Sequence, residues 1–214
     1  MYLRGLLKGE KVEETRIVDC VTRGINPYTN TDEFFDCAKN PDLRFIVSNT
    51  TEAGIEYKPN QNPDDFNGLT FPGRLTLFMK KRFDEGLGGF ILLPCELIDK
   101  NGDNLKECIL KYSEDWGYGG EFEKWIETEN HFTNTLVDRI VTGYPRDNAK
   151  EMEQSYGYLD DMIDTAEIFH LWVIEGDKKL AEEIPFHKIG LNVLWTDDVT
   201  PYKKRKVRIL NGAH

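Results

Sequence analysis

The sequence predicts an α/β protein with a mostly parallel sheet and flanking helices. Strand-like apolar runs alternate with amphipathic helical stretches over most of the 214 residues, the pattern of repeated β-α units. Two of those runs, 43–49 and 90–94, are apolar enough for buried strands, and each ends in a polar turn. No internal repeat or low-complexity tract interrupts the pattern.

Taken in order, residues 1–24 read as a β-hairpin or two neighbouring strands: Tyr2-Leu3 and Leu6-Leu7 precede a turn at Lys8–Lys11, and Thr15–Val18 follows it. Thr31-Asp32-Glu33 opens a short helix with Phe34, Phe35 and Ala38 on its buried side. Leu43–Asn49 is a strand that runs into the turn Thr50–Gly54, and the Asn-, Asp- and Pro-rich stretch 56–67 is a surface loop. Pro72–Phe83 is an amphipathic helix facing inward with Leu75, Phe78, Met79 and Phe83. Gly86–Gly89 turns into the strand Phe90–Pro94, and the turn Cys95–Gly102 places Asn101-Gly102 in left-handed positions. Helices follow at 104–116 and 121–129, a strand at 135–141, an acidic helix at 149–156, and strands at 169–174 and 191–195. A last helix opens at Thr200, with Thr200 as N-cap and Pro201 in the first turn.

The formal net charge of −11 argues against general nucleic-acid binding, which needs a basic footprint. The basic run Lys203–Lys206 is in its plain reading a solvated helix face. No apolar run approaches membrane-spanning length, and Met1 leads into Tyr2-Leu3-Arg4 without the apolar core of a signal peptide. Four cysteines (Cys20, Cys37, Cys95, Cys108) show no disulfide or C-x-x-C spacing, as expected for reduced thiols in a soluble cytoplasmic protein. The four histidines lack zinc-ligand spacing, so no metal site is expected, and no G-x-S-x-G nucleophile motif is present. Neither glycine-rich phosphate loop, G-x-G-x-x-G or G-x-x-x-x-G-K-[ST], occurs either.

The C-terminal stretch carries the most chemistry. On a helix, Lys206, Leu210, Asn211 and His214 fall within an arc of roughly 140°. An amine, an amide and an imidazole on one face can take a proton from an alcohol and hold the oxygen left behind. The sequence stops at His214 without a C-cap signal, so a piece of a larger enzyme is expected. The polar turns after Asn49 and after Pro94 are the other candidates, since ligands of open α/β sheets gather beyond the carboxyl ends of strands.

Four motifs occur in a telling order: Ser48-Asn49-Thr50-Thr51-Glu52-Ala53-Gly54, Pro94-Cys95-Glu96-Leu97-Ile98-Asp99-Lys100-Asn101-Gly102, Val137-Asp138-Arg139-Ile140 and Lys206–His214. Together they resemble the mannitol dehydrogenase family of long-chain secondary-alcohol dehydrogenases. The first two, with Phe169–Gly176, look most like its hexuronate-processing members. The resemblance implies a Rossmann-type NAD-binding domain over 1–198, lacking its first β-α unit with the glycine-rich turn, and the start of a helical substrate domain over 199–214.

It also implies roles. Lys206 would be the acid/base, Asn101 and Asn211 the amides that hold the substrate oxygen, and His214 an orienter of substrate hydroxyls. Asn49, Thr50, Glu52 and Asp138 would face NAD, with Glu52 and Asp138 shaping the nicotinamide side or tuning Lys206. The implied partner is a small hexuronate. Many members carry Asp-Asn after the cysteine where this chain has Glu96-Leu97, which favours a uronate over a polyol. Expected alternatives are a sibling acting on another sugar acid or polyol, and a non-catalytic module that binds a partner.

Overall fold

The computed structural model describes residues 1–7 and 9–206, without the side chain of Leu7. Its elements are β1 (Tyr2–Leu7), β2 (Glu10–Thr15), α1 (Thr31–Ala38), β3 (Phe45–Ser48), α2 (Phe71–Asp84), β4 (Ile91–Pro94), α3 (Asn101–Asp115) and α4 (Gly120–Glu129). There follow β5 (His131–Phe132), β6 (Asn134–Asp138), β7 (Val141–Gly143), α5 (Ala149–Tyr156), β8 (Thr165–Glu167), β9 (Leu171–Glu175), β10 (Val193–Thr196) and α6 (Thr200–Arg205). They form two compact units, one from Met1–Gly24 with Val137–Leu171, the other from Ile25–Leu136 with the chain from Trp172 onward.

The larger unit bears out the parallel architecture. β3 pairs with β4 and β4 with β5, all parallel, and β9 pairs in parallel with β10 in the sheet β10-β9-β6. β4 is buried at every position, as its unbroken apolar run predicts. Strand periodicity sends Phe90 and Leu92 into one cluster, with Leu75, Phe78 and Met79 of α2, Leu105 and Ile109 of α3, and Phe122 and Ile126 of α4. Ile91 and Leu93 enter a second cluster with Ile174, Leu180, Ile184 and Val193. Full burial of one such side chain contributes about 1.5–3 kcal/mol, so β4 is the keystone of this unit.

α2 begins one residue before the expected Pro72, because Thr70 caps it, its hydroxyl accepting from Gly73 N at 3.3 Å. Arg82 on α2 is 1% exposed. Its guanidinium donates to the carbonyls of Gly88, Ala38, Asn40 and Leu43 and lies 4.6 Å from the Phe90 ring centroid. Five fixed donors suit a nest of carbonyls, which is why an arginine is tolerated there.

The smaller unit has a four-stranded sheet, β2-β1-β8-β7, of mixed direction: β1 and β2 form the expected antiparallel hairpin, β8 joins β1 in parallel, and β7 joins β8 antiparallel. The strand expected over 135–141 is therefore two. β6 ends at Asp138 and β7 starts at Val141, with Arg139 Nε donating to Glu167 O at 3.0 Å and Ile140 N to Glu167 Oε1 at 2.6 Å across the break. No apolar alternation announces β8, which is three residues long.

Candidate functional site

The turn that leaves β4, residues 95–100, is where sequence-distant motifs of the larger unit meet. Glu96 is 2% exposed and has no cation on it among the contacts described. Its Oε2 accepts from Ser48 Oγ at 3.1 Å, and its Oε1 accepts from both Thr50 N and Thr50 Oγ1 at 3.0 Å. A buried carboxylate thus pins the turn after β3 to the end of β4, leaving Asn49, Thr50 and Glu52 on an exposed ledge beyond two parallel strand ends. Cys95 beside it is buried, and loss of solvent pushes its thiol pKa up to about 11. A thiol held protonated in this way is a poor nucleophile.

Asn101 corrects two expectations. The left-handed residue of the turn is Lys100 (φ 50°), and Asn101 already belongs to α3, which starts three residues before the expected 104. Gly102 is required by close approach: a Cβ there would stand 2.2 Å from Thr133 O. The Asn101 side chain is 0% exposed. Its Nδ2 donates to the carbonyls of Pro94 (2.9 Å), Glu96 (3.1 Å) and Thr135 (3.2 Å), and its Oδ1 accepts from Thr135 N (2.9 Å) and Gly102 N (3.0 Å). Both amide hydrogens are taken up by the backbone, so in this structure Asn101 ties β4, β6 and α3 together and has no donor to offer a substrate oxygen.

Two residues that sequence reasoning missed complete the frame. Asn134 on β6, buried, accepts at Oδ1 from Gly102 N (3.0 Å) and Asp103 N (3.1 Å), capping α3 from another strand. Its Nδ2 donates to Glu175 Oε1 at 3.0 Å, and Glu175 Oε2 accepts from Val199 N at 2.7 Å, where the chain enters α6. A carboxylate closing the apolar run Leu171–Ile174 was the only available signal.

α6 is capped differently from the expectation. Val199 holds the N-cap position without a side-chain bond, and Thr200 is the first helical residue. Asp198 Oδ1 accepts from Thr200 N at 2.8 Å, and the bonds from Thr200 hold the Asp198 carboxyl below its ordinary pKa. Lys203 reaches back to the β4 turn, its Nζ donating to Ile98 O at 3.3 Å and to Asp99 Oδ1 at 3.1 Å. Lys206 follows α6 with helical backbone angles (φ −58°, ψ −53°) and is half-buried. It stands about one helical turn, ~5 Å of rise, beyond the Lys203 tether.

Asn211 and His214 lie outside the described residues, as does the rest of the shared helix face. Asp138 is half-buried at the end of β6 and belongs to the smaller unit. Thus Thr50 and Asn101 both bond Glu96, and α6 is tied to the same turn through Lys203. Among the described residues no group of three or more His, Cys, Asp or Glu could hold a metal ion, and no helix is long and apolar enough to cross a membrane.

Known proteins share this architecture. The chain is 49% identical over 217 aligned residues to altronate oxidoreductases of Enterobacter sp. (strain 638) and Shigella flexneri, an alignment covering 99% of this chain and 45% of each relative. It therefore spans less than half the length of these curated relatives. Among solved structures, the Pseudomonas fluorescens mannitol 2-dehydrogenase ternary complex with NAD and D-mannitol superposes with a TM-score of 0.76 at 21% identity, covering 100% of this chain and 45% of that one. A substrate-free D-sorbitol dehydrogenase gives 0.67 at 24% identity, covering 86% of this chain and 40% of that one. These two show the fold. The family model described as the mannitol dehydrogenase Rossmann domain matches residues 3–188, and the chain belongs to that family.

Proposed function

We propose that this chain is the nucleotide-binding part of an NAD-dependent oxidoreductase that interconverts tagaturonate and altronate. The observation that carries the reading is the 49% identity, over 99% of the chain, to proteins named altronate oxidoreductase. The activity is proposed for the longer protein, since the chain accounts for 45% of those relatives' length.

The residues present fit one side of a dinucleotide. Asn49, Thr50 and Glu52 form an exposed polar ledge beyond the carboxyl ends of parallel β3 and β4, the place where open α/β sheets take such ligands. When bound, NAD accepts or supplies the hydride at the carbinol carbon. Lys206 takes the hydroxyl proton as the alcohol is oxidised and returns it on reduction. Asn211 donates an amide hydrogen to the oxygen as charge develops, and His214 orients substrate hydroxyls.

The test is NADH oxidation by the full-length protein with tagaturonate, fructuronate and fructose. The expected result is the highest kcat/KM with tagaturonate. A higher value with fructuronate or fructose would assign the protein to a sibling activity. Turnover with none of the three, and no thermal shift with NADH, would leave a non-catalytic binding module.

A further inference from the structure

We infer that Glu175 and Asn134 are positioning residues for Lys206, seating the helix that leads to it against the strand-end frame; the inference rests on the acid/base role proposed for Lys206. The observation is a continuous set of bonds across three elements. Asn134 Oδ1 takes two backbone N–H groups of the first turn of α3, its Nδ2 meets Glu175 Oε1 at 3.0 Å, and Glu175 Oε2 takes Val199 N at 2.7 Å. Glu175 sits at the end of β9, where it pairs in register with Thr196 of β10, three residues before Val199. The carboxylate is thus fixed on the sheet, and the backbone it holds is the entrance to α6.

Only a carboxylate does this job as built. Both of its oxygens accept, one from a side-chain amide and one from a backbone N–H, and a glutamine has a single acceptor oxygen. The Lys203 bonds to Ile98 O and Asp99 are a second tether about one turn further on, so α6 is held at its start and in its middle. An amine that must meet a hydroxyl proton in line loses rate steeply when its helix moves, with about a hundredfold loss for ~1 Å of misplacement.

The polarity of the pair supplies the experiment. In Glu175→Gln, an amide NH2 must face either Asn134 Nδ2 or Val199 N, donor against donor. In the double variant Glu175→Gln/Asn134→Asp the bond runs the other way. The introduced glutamine donates from Nε2 to the introduced aspartate, while its Oε1 still accepts from Val199 N. The second oxygen of that aspartate keeps the α3 amides. In the full-length enzyme, E175Q should lower kcat roughly tenfold to a hundredfold. It should also displace the pKa read from kcat against pH, with KM for NADH within about twofold of wild type, and the double variant should recover both rate and profile. A folded E175Q with wild-type kcat and pH profile would overturn the inference. If E175Q alone does not fold, a folded double variant decides, and a persistently depressed kcat there would overturn it as well. Absence of tagaturonate turnover in the wild-type protein would instead count against the proposed function.

Discussion

The two units differ in how much apolar side chain they bury. In the larger one, β4 is buried on both faces between two clusters, and Ser48, Glu96, Asn101, Asn134 and Glu175 are matched donor to acceptor. In the smaller one, Leu3, Ile163 and Ala166 are buried, whereas Leu159 and Met162 are 86% and 85% exposed. The first is a rigid frame able to hold a turn or a helix entrance in place. The second is a mixed four-stranded sheet with few buried apolar side chains, Leu3, Ala149, Ile163 and Ala166 among them. A site that demands sub-ångström placement belongs on the former.

Substitutions can break or sharpen that contrast, beginning with the largest expected effect. All four tryptophans (Trp116, Trp125, Trp172, Trp195) lie in the larger unit, so their fluorescence reports on its unfolding. Arg82→Ala should destabilise it by about 3–5 kcal/mol in urea, because several buried carbonyls lose their donor together with the stem's packing. A loss below about 1 kcal/mol would show that water replaces the guanidinium. Leu92→Ala should cost about 2–5 kcal/mol by opening a cavity in the β4 cluster. Leu159→Ser in the smaller unit should stay within about 0.5 kcal/mol by calorimetry, and a larger change would mean that its exposed surface is covered in solution.

A pH experiment probes the same frame more gently. The Cys95 thiol is raised from an ordinary 9.0 to about 11 by burial, so the folded chain keeps that proton over a range where the unfolded chain gives it up. The stability this contributes is complete below pH 9 and declines as pH rises from 9 towards 11. Cys95→Ala should flatten the decline in urea midpoints across that window. An unchanged slope would indicate that water reaches the thiol.

How legible this was in the sequence follows the same divide. β4, α2 and α4 were readable because apolar periodicity is local and strong, and β3 and β4 carried their polar turns in view. The partners of Asn101 are not local: Thr135 lies 34 residues on, so an Asn-Gly pair that signals a turn by itself became the buried start of α3. Its glycine answers to a Thr133 carbonyl, not to a positive φ. The break between β6 and β7 depends on Glu167, 27 and 28 residues away, and was equally invisible. Glu175 and Asn134 escaped notice because each is an ordinary polar residue until the strands bring them together.

In the proposed reaction an amine one turn past the Lys203 tether manages the proton while NAD manages the electrons. Its most direct measurement is Lys206→Ala in the full-length enzyme, with kcat for tagaturonate reduction and NADH affinity determined on the same preparation. The account predicts that kcat collapses while the dissociation constant for NADH stays within about twofold, because the lost group acts on the transition state and not on the cofactor. An unchanged kcat would remove Lys206 from the reaction and contradict the account.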